Sequence, residues 1–292
     1  MMRYGGSGAN EGKNPPSGAV LSYYIADEHD GPLSIEITDA DGNAVRNYSS
    51  EEGDFERCII GNMDQRLPFE VRYPPAEQGL NQWTWDMRWN GLHCIEDVKL
   101  FAGFRGASVT PGDYRVRIAI GDAASSADLT LLPDPRNDAT TDDYTFLADK
   151  LREVTDMLNE LLSYLEAVRK ARGQIEVLLE DHADATELRA AGESAITRLT
   201  GWENQVTQTQ YGTYEDEDSM PPMLDVHIRH VLDVIDRAGA PVSAGSLQRL
   251  DDLKVQWSER MLQLDAINAS DIATVNAWAQ GNGITHVSSP GG

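Results

Sequence analysis

Long apolar runs are missing from this chain of 292 residues. No stretch approaches the roughly 20 consecutive apolar residues that a membrane-spanning helix needs. Residues 1–17 are rich in Gly, Asn and Pro and contain no apolar core of the kind that a signal peptide has. The sequence therefore predicts no membrane insertion, and we expect no signal peptide in this chain.

Basic residues are also scarce, because 24 Lys and Arg stand against 48 Asp and Glu. The formal net charge is −24. Proteins that bind nucleic acids attach to the phosphate backbone through clustered Lys and Arg, which displace counterions. The charge balance therefore argues against a nucleic-acid partner.

Cysteine occurs only twice, as Cys58 and Cys94. In an oxidising compartment these two residues could form one disulfide, and two unpaired thiols are the alternative. Spacing alone does not choose between them.

Catalytic motifs are absent as well. The sequence has no Gly-x-Ser-x-Gly elbow, no phosphate-binding loop and no His-Glu-x-x-His stretch. A glycosidase needs one carboxyl group with a raised pKa and a second carboxylate at a set distance, and nothing singles out such a pair among 48 acids. We therefore predict that the chain is not an enzyme and uses no cofactor.

Two short patterns resemble metal sites. Asp39, Asp41 and Asn43 alternate as calcium ligands do, but the twelfth position of such a loop is Ser50 and not Glu, so a plain hairpin turn is favoured. His227 and His230 are three residues apart on a predicted helix, but no third ligand lies nearby in the sequence. We expect no metal site at either place.

Between about residues 18 and 132 the apolar residues alternate with period two, which is typical of strands with one buried face. Residues 33–38 and 44–48 flank a turn at Gly42 and Asn43, and residues 114–120 and 129–131 form a later pair. Six to eight short strands predict an immunoglobulin-like or fibronectin-III-like β-sandwich. Two inserts, 51–78 and 90–108, have no clear periodicity.

Three tryptophans recur in the strand predicted over residues 81–89, namely Trp83, Trp85 and Trp89. The alternation places their rings on one face, where they would anchor the core of the sandwich. If that face were exposed instead, the rings could stack on sugars, which would make the sandwich a carbohydrate-binding module.

After Pro133 and Pro135 the apolar period changes to about 3.5, which is typical of long helices. Ten positions spaced four, three, four, three predict a helix of roughly 40 residues with a coiled-coil-like seam, broken only by Arg172. Further helices are predicted over residues 185–208, 222–238 and 243–279. Short connections favour an antiparallel long-helix bundle.

These patterns divide the chain into four parts. Residues 1–17 are predicted to be a flexible arm, residues 18–135 the β-sandwich, residues 136–281 a bundle of about four helices, and residues 282–292 a flexible tail. The predicted fold class is therefore an all-β domain followed by an all-α domain.

Several segments resemble one bacterial family. Residues 15–20, 33–46 and 79–88, together with the prolines at 221–222 and 241, are similar to the C-terminal region of large proteins built on sortilin-type β-propellers. Those propellers carry Asp-box, or bacterial neuraminidase, repeats and are often labelled glycosyl hydrolases. In that region a sandwich similar to that of flagellar hook-capping proteins precedes a helical segment. The resemblance covers about residues 14–278.

This chain lacks the Asp-box pattern Ser-x-Asp-x-Gly-x-x-Trp, so it contains no such propeller. The resemblance implies an accessory part or subunit of a secreted, cell-surface or periplasmic propeller protein. We expect a structural or interaction module whose partner is a β-propeller protein or, through the helices, a second copy of the chain. A carbohydrate-binding module of a glycosidase-like assembly is the alternative.

Overall fold

A computed structural model describes residues 15–27, 29–51, 73–95, 98, 100, 103–211 and 216–291. They form two compact units. The first unit contains the described residues within 15–51, 73–88 and 114–129, and the second contains those within 89–113 and 130–291.

The first unit is built from two antiparallel sheets. One sheet pairs β1 with β4, and the other has the order β3-β2-β5-β6. Turns in which Gly42 and Gly121 adopt positive φ separate β2 from β3 and β5 from β6. The described strands are β1 Ala19–Ile25, β2 Leu33–Asp39, β3 Ala44–Ser49, β4 Gly79–Trp85, β5 Gly112–Ile120 and β6 Ala123–Leu131.

Apolar residues at alternate positions form the core of this unit. Leu33, Ile35 and Ile37 of β2 are fully buried, because they are the residues that period two places on one face. Aromatic pairs join the two sheets. The ring centroids of Trp85 and Tyr114 are 5.4 Å apart, and those of Trp83 and Tyr48 are 5.2 Å apart, both edge to face.

The strand predicted over residues 81–89 is shorter in the structure, where β4 ends at Trp85. Met87 has a φ of 54°, a left-handed conformation that no regular strand contains. Trp89 belongs to the second unit, and its backbone N–H donates to the carbonyl oxygen of Ala107 at 2.9 Å. The prediction that Trp89 continues the strand was therefore wrong.

Helices make up most of the second unit. The described helices are α1 Thr141–Asp181, α2 Thr186–Val206, α3 Asp216–Ser219, α4 Leu224–Ala238, α5 Ala244–Ile267 and α6 Ala273–Gly281, with a π-helical segment at Asn268–Ile272 between α5 and α6. The predicted long helix of roughly 40 residues is confirmed, since α1 has 41 residues. Thr140 caps it in a capping box with Asp143.

The seam of α1 is buried within its own unit. Leu158, Leu161, Leu165 and Val168 are all 0% exposed, and they belong to a core cluster with residues of α2, α4 and α5. This seam is therefore already covered, and it leaves no free stripe for a second copy of the chain.

The insert at residues 90–108, placed by the sequence within the sandwich range, packs on the helices. Leu92, Ile95, Val98, Leu100 and Phe104 belong to the same core cluster as α1. The described part of this insert therefore completes the helical core.

Residues 282–291, where a flexible tail was predicted, also contact the helices. Val287 is 1% exposed, and its backbone N–H and carbonyl both bond to the side chain of Asn276 in α6. Across the described residues, no helix is both long and apolar enough to span a bilayer.

Candidate functional site

The three predicted tryptophans occupy different environments. Trp85 is fully buried, so the prediction that it anchors a core is confirmed. Trp83 is half-buried against Tyr48, and the guanidinium of Arg152 lies 4.7 Å from the centre of the Trp89 ring. The three rings do not form one exposed row of the kind that stacks on a sugar chain.

The cysteine prediction falls partly outside the described residues. Cys94 is half-buried against the helical core and has no free thiol. Cys58 lies outside the described residues, so its pairing with Cys94 stays a prediction.

The carboxylate of Asp39 is used by its own turn. It accepts hydrogen bonds from the backbone N–H groups of Asp41 and Asn43, at 3.1 and 2.8 Å, and from the side-chain amide of Asn43 at 3.0 Å. This arrangement holds the β2–β3 hairpin in the way an Asx-turn does.

His227 and His230 lie on α4. Burial lowers the pKa of His227, and electrostatic interactions with Arg249 and His230 lower it further. No group of three or more His, Cys, Asp and Glu suited to a metal ion is found among the residues that the structure describes.

Sequence reasoning missed a buried ion-pair cluster between α1 and α2. Glu203 is 3% exposed, and its carboxylate accepts hydrogen bonds from Arg169 at 2.7 Å and Arg172 at 2.5 Å. Arg172 is the residue that interrupts the apolar seam. That interruption was the only sequence signal for a buried acid on a neighbouring helix.

Asp225 is a second buried acid that the sequence did not indicate. It lies in the first turn of α4 and is 0% exposed. Burial raises its pKa to about 7, although a hydrogen bond from Thr207 and the backbone N–H of Val226 oppose that shift. Its Oδ2 atom has no hydrogen-bond partner among the residues that the structure describes.

Other buried charges connect separate segments of the second unit. Asp271, in the π-helical segment, pairs with Arg198 and accepts a hydrogen bond from Ser194 at 2.8 Å. Arg229 of α4 donates to the carbonyl oxygen of Gly103 at 2.9 Å. These partners come from different elements, so the contacts stabilise the packing of the unit.

A cleft opens between the two sheets of the first unit. It has a volume of about 890 Å³ and lies between β1 on one side and β5 and β6 on the other. Its apolar lining includes Leu21, Ile25, Val116, Ile118 and Ile120. Four aspartates also line it, namely Asp27, Asp30, Asp122 and Asp128, and no Lys or Arg among the described residues does.

The face of the β1–β4 sheet that carries the even-numbered residues of β1 exposes large apolar side chains, and Val20 and Tyr24 on this face also border the cleft at the edge of β1. Tyr24 and Leu80 are directly paired across the two strands, and they are 71% and 74% exposed. Val20 lies on the same face of β1 and is 46% exposed. Neighbouring exposed residues of this size on one sheet are typical of surfaces that bind another protein.

Comparisons with protein families, with curated proteins and with solved structures give no match to this chain. The geometry of the sheets and helices therefore carries the functional argument.

Proposed function

We propose that the chain is a non-catalytic interaction module, in which an immunoglobulin-like sandwich binds a protein partner and an antiparallel helical bundle supports it. By its resemblance, the partner is a β-propeller protein that is secreted or lies at the cell surface. The chain would then be an accessory part or subunit of that assembly.

The paired residues Tyr24 and Leu80 carry this proposal. Both are more than two-thirds exposed, and their direct cross-strand pairing makes one apolar patch, which the polar pair of Ser22 and Gln82 separates from Val20. A tyrosine offers a large, rigid contact area at a low cost in conformational entropy, and tyrosine is enriched in protein interfaces. The outer face of the β1–β4 sheet is therefore the proposed docking surface.

The second part of the proposal is that two copies of the chain associate through their helices. Because the α1 seam is buried, we place this contact on α5, where Val255 and Leu262 lie seven residues apart and are 59% and 70% exposed. Residues seven apart lie on one stripe of a helix. The high negative charge of the chain opposes such an association at low salt.

Size-exclusion chromatography with light scattering tests both parts on the full chain. The chain would be measured alone over a range of concentrations, and mixed with a β-propeller protein from the same source. We expect a stable complex that Leu80→Glu weakens at least about tenfold, because the substitution places a charge in an apolar contact.

Leu132→Glu is the matched control, since Leu132 is also an exposed leucine, at 81%, but lies outside the β1–β4 sheet. Leu132→Glu should leave the affinity of the complex unchanged. A chain that stays strictly monomeric and forms no complex would contradict the proposed function.

A further inference from the structure

The face of β6 that lines the cleft is uncovered in the part of the chain that the structure describes. Arg115 of β5 and Asp128 of β6 form an exposed ion pair at 2.9 Å across the two strands. Because successive residues of a strand point to opposite faces, Ser125 and Ala127 lie on the other side, with Val116 and Ile118. Ser125 and Ala127 are nevertheless exposed, whereas Val116 is buried.

This exposure follows from the unequal width of the two sheets. Four described strands form one sheet and only two form the other, and the aromatic contacts place β4 against β3 and β5. The cleft is bordered by β1 and by β5 and β6. In the described residues no strand pairs with the second edge of β1. One more strand beside β1 would cover the inner face of β6.

The free edge of β1 has the properties of a strand-addition site. Alternate residues of the seven-residue strand β1 present backbone N–H and C=O groups along this edge, and an added strand would satisfy them. The small side chains of Ala123, Ser125 and Ala127 leave room above β6 for large apolar side chains of the added strand. Alternate side chains of that strand would enter the cleft.

The charge of the cleft lining indicates which kind of segment would bind there. Among the described residues, four aspartates line the cleft, together with His29, Tyr23 and Tyr24, and no Lys or Arg does. Asp27, Asp30 and Asp122 are exposed and form no ion pair among the described residues, whereas Asp128 pairs with Arg115. A strand with Lys or Arg at the positions outside the cleft would complement these carboxylates.

We infer that the cleft binds an extended basic segment of a partner protein, in which large apolar residues alternate with Lys or Arg, as an added strand beside β1. This inference rests on the proposed interaction function and names the chemistry of the partner. A second copy of this chain is disfavoured because its net charge is −24. Residues 1–14 of the chain also lack an alternating apolar pattern.

A fluorescein-labelled nine-residue peptide of alternating lysine and valine is the probe, and fluorescence anisotropy with the full chain is the measurement. We expect saturable binding that weakens as salt is raised. The same peptide with glutamate in place of lysine should bind at least about tenfold more weakly. Replacing the central valine by proline should also weaken binding, because proline interrupts strand pairing.

Two exposed serines of the four-stranded sheet provide a matched pair of variants. Ser125→Trp fills the cleft and should weaken binding of the lysine–valine peptide at least about tenfold. Ser34 lies on the face of β2 opposite Leu33 and Ile35 and does not line the cleft, so Ser34→Trp should change binding less than about twofold. Both positions are exposed, and circular dichroism would verify that both variants fold.

Charge reversal supplies an independent readout. Asp27→Lys with Asp30→Lys should reduce binding of the basic peptide and raise binding of the glutamate peptide. Equal effects of Ser125→Trp and Ser34→Trp would show adhesion to the acidic surface alone and would overturn the inference. A dimer of the chain that Ser125→Trp dissociates would overturn it too, because the occupant would then be a second copy.

The two proposals can fail separately. If the propeller complex forms and depends on Leu80 while the peptide does not bind, only the cleft inference fails. If neither a complex nor an oligomer forms, the proposed function fails.

Discussion

Glu203 carries a buried carboxylate between α1 and α2, and this carboxylate pairs with two arginines. Its two arginine partners come from α1, so removing the carboxylate would leave two guanidinium groups that are only about a quarter exposed without their acceptor. Breaking a buried ion pair by deleting one partner typically costs about 3–5 kcal/mol, because the remaining charge stays desolvated.

We expect Glu203→Ala to lower the free energy of unfolding by about 3–5 kcal/mol, measured by urea denaturation. Glu166→Ala is the control, because Glu166 pairs with His93 but its side chain is 58% exposed. Exposed pairs contribute at most about 1 kcal/mol, so this variant should be nearly neutral. Similar losses for the two variants would refute the assigned role of Glu203.

Asp225 is the second residue with a testable property, because its acid–base behaviour is unusual. Its pKa of about 7 in the folded protein lies above the value of about 4 in an unfolded chain. Between these pH values the folded state therefore binds more protons at this group than the unfolded state. The stability that this group contributes is full below about pH 4 and is lost as the pH rises through about 7.

Asp225→Asn should remove this dependence, which amounts to about 1.4 kcal/mol per pH unit within that window. We expect the variant to be more stable than the natural chain at pH 8, and the difference to shrink towards pH 4. Denaturation curves of both proteins over this range measure it. A difference that stays constant with pH would show that Asp225 titrates normally in the folded state.

At the scale of elements, residue periodicity predicted much of the local structure. Apolar residues at alternate positions identified β2 and β5, and the four-three spacing identified α1 to within a few residues. Local patterns succeed here because each of these elements buries one face of large apolar residues.

The elements that the sequence did not predict have no local pattern of large apolar residues along one face. β6 begins at Ala123, and its first six residues are exposed and mostly Ala and Ser, so only the Leu129–Leu131 end gave a signal. The insert at 90–108 is held by contacts with distant helices, such as His93 to Asn159, and such contacts leave no local period. The cleft beside β6 could not be predicted either, because it depends on the number of strands in the facing sheet.

Gly106 tests the packing of this insert. A Cβ atom at Gly106 would lie 2.3 Å from the carbonyl oxygen of Asn90 and 2.4 Å from that of Trp89. Both contacts are with backbone, so the segment cannot adjust by moving a side chain. We expect Gly106→Ala to lower the free energy of unfolding by about 1–3 kcal/mol.

Gly173→Ala is the matched substitution in α1, where an added Cβ meets no atom within 4 Å. Alanine favours the helix, so this variant should be about 1 kcal/mol more stable, measured by the same denaturation. If Gly106→Ala were equally stabilising, the close approach of residues 89–90 to Gly106 would be incorrect.

At the scale of the whole molecule, the two units differ in how they use their apolar residues. The helical unit buries its longest seam internally, and its buried charges pair with one another or with backbone groups. The sheet unit exposes Tyr24 and Leu80 on the two-stranded sheet and opens a cleft beside β1. Within the proposed function, partner binding therefore belongs to the sheets.

Hydrogen–deuterium exchange of the full chain, alone and in complex with the propeller protein, tests this assignment most directly. We predict that amides of β1 and β4, residues 19–25 and 79–85, exchange at least about tenfold more slowly in the complex, while those of α1 are unchanged. Protection confined to the helical unit in a saturated complex would contradict the account.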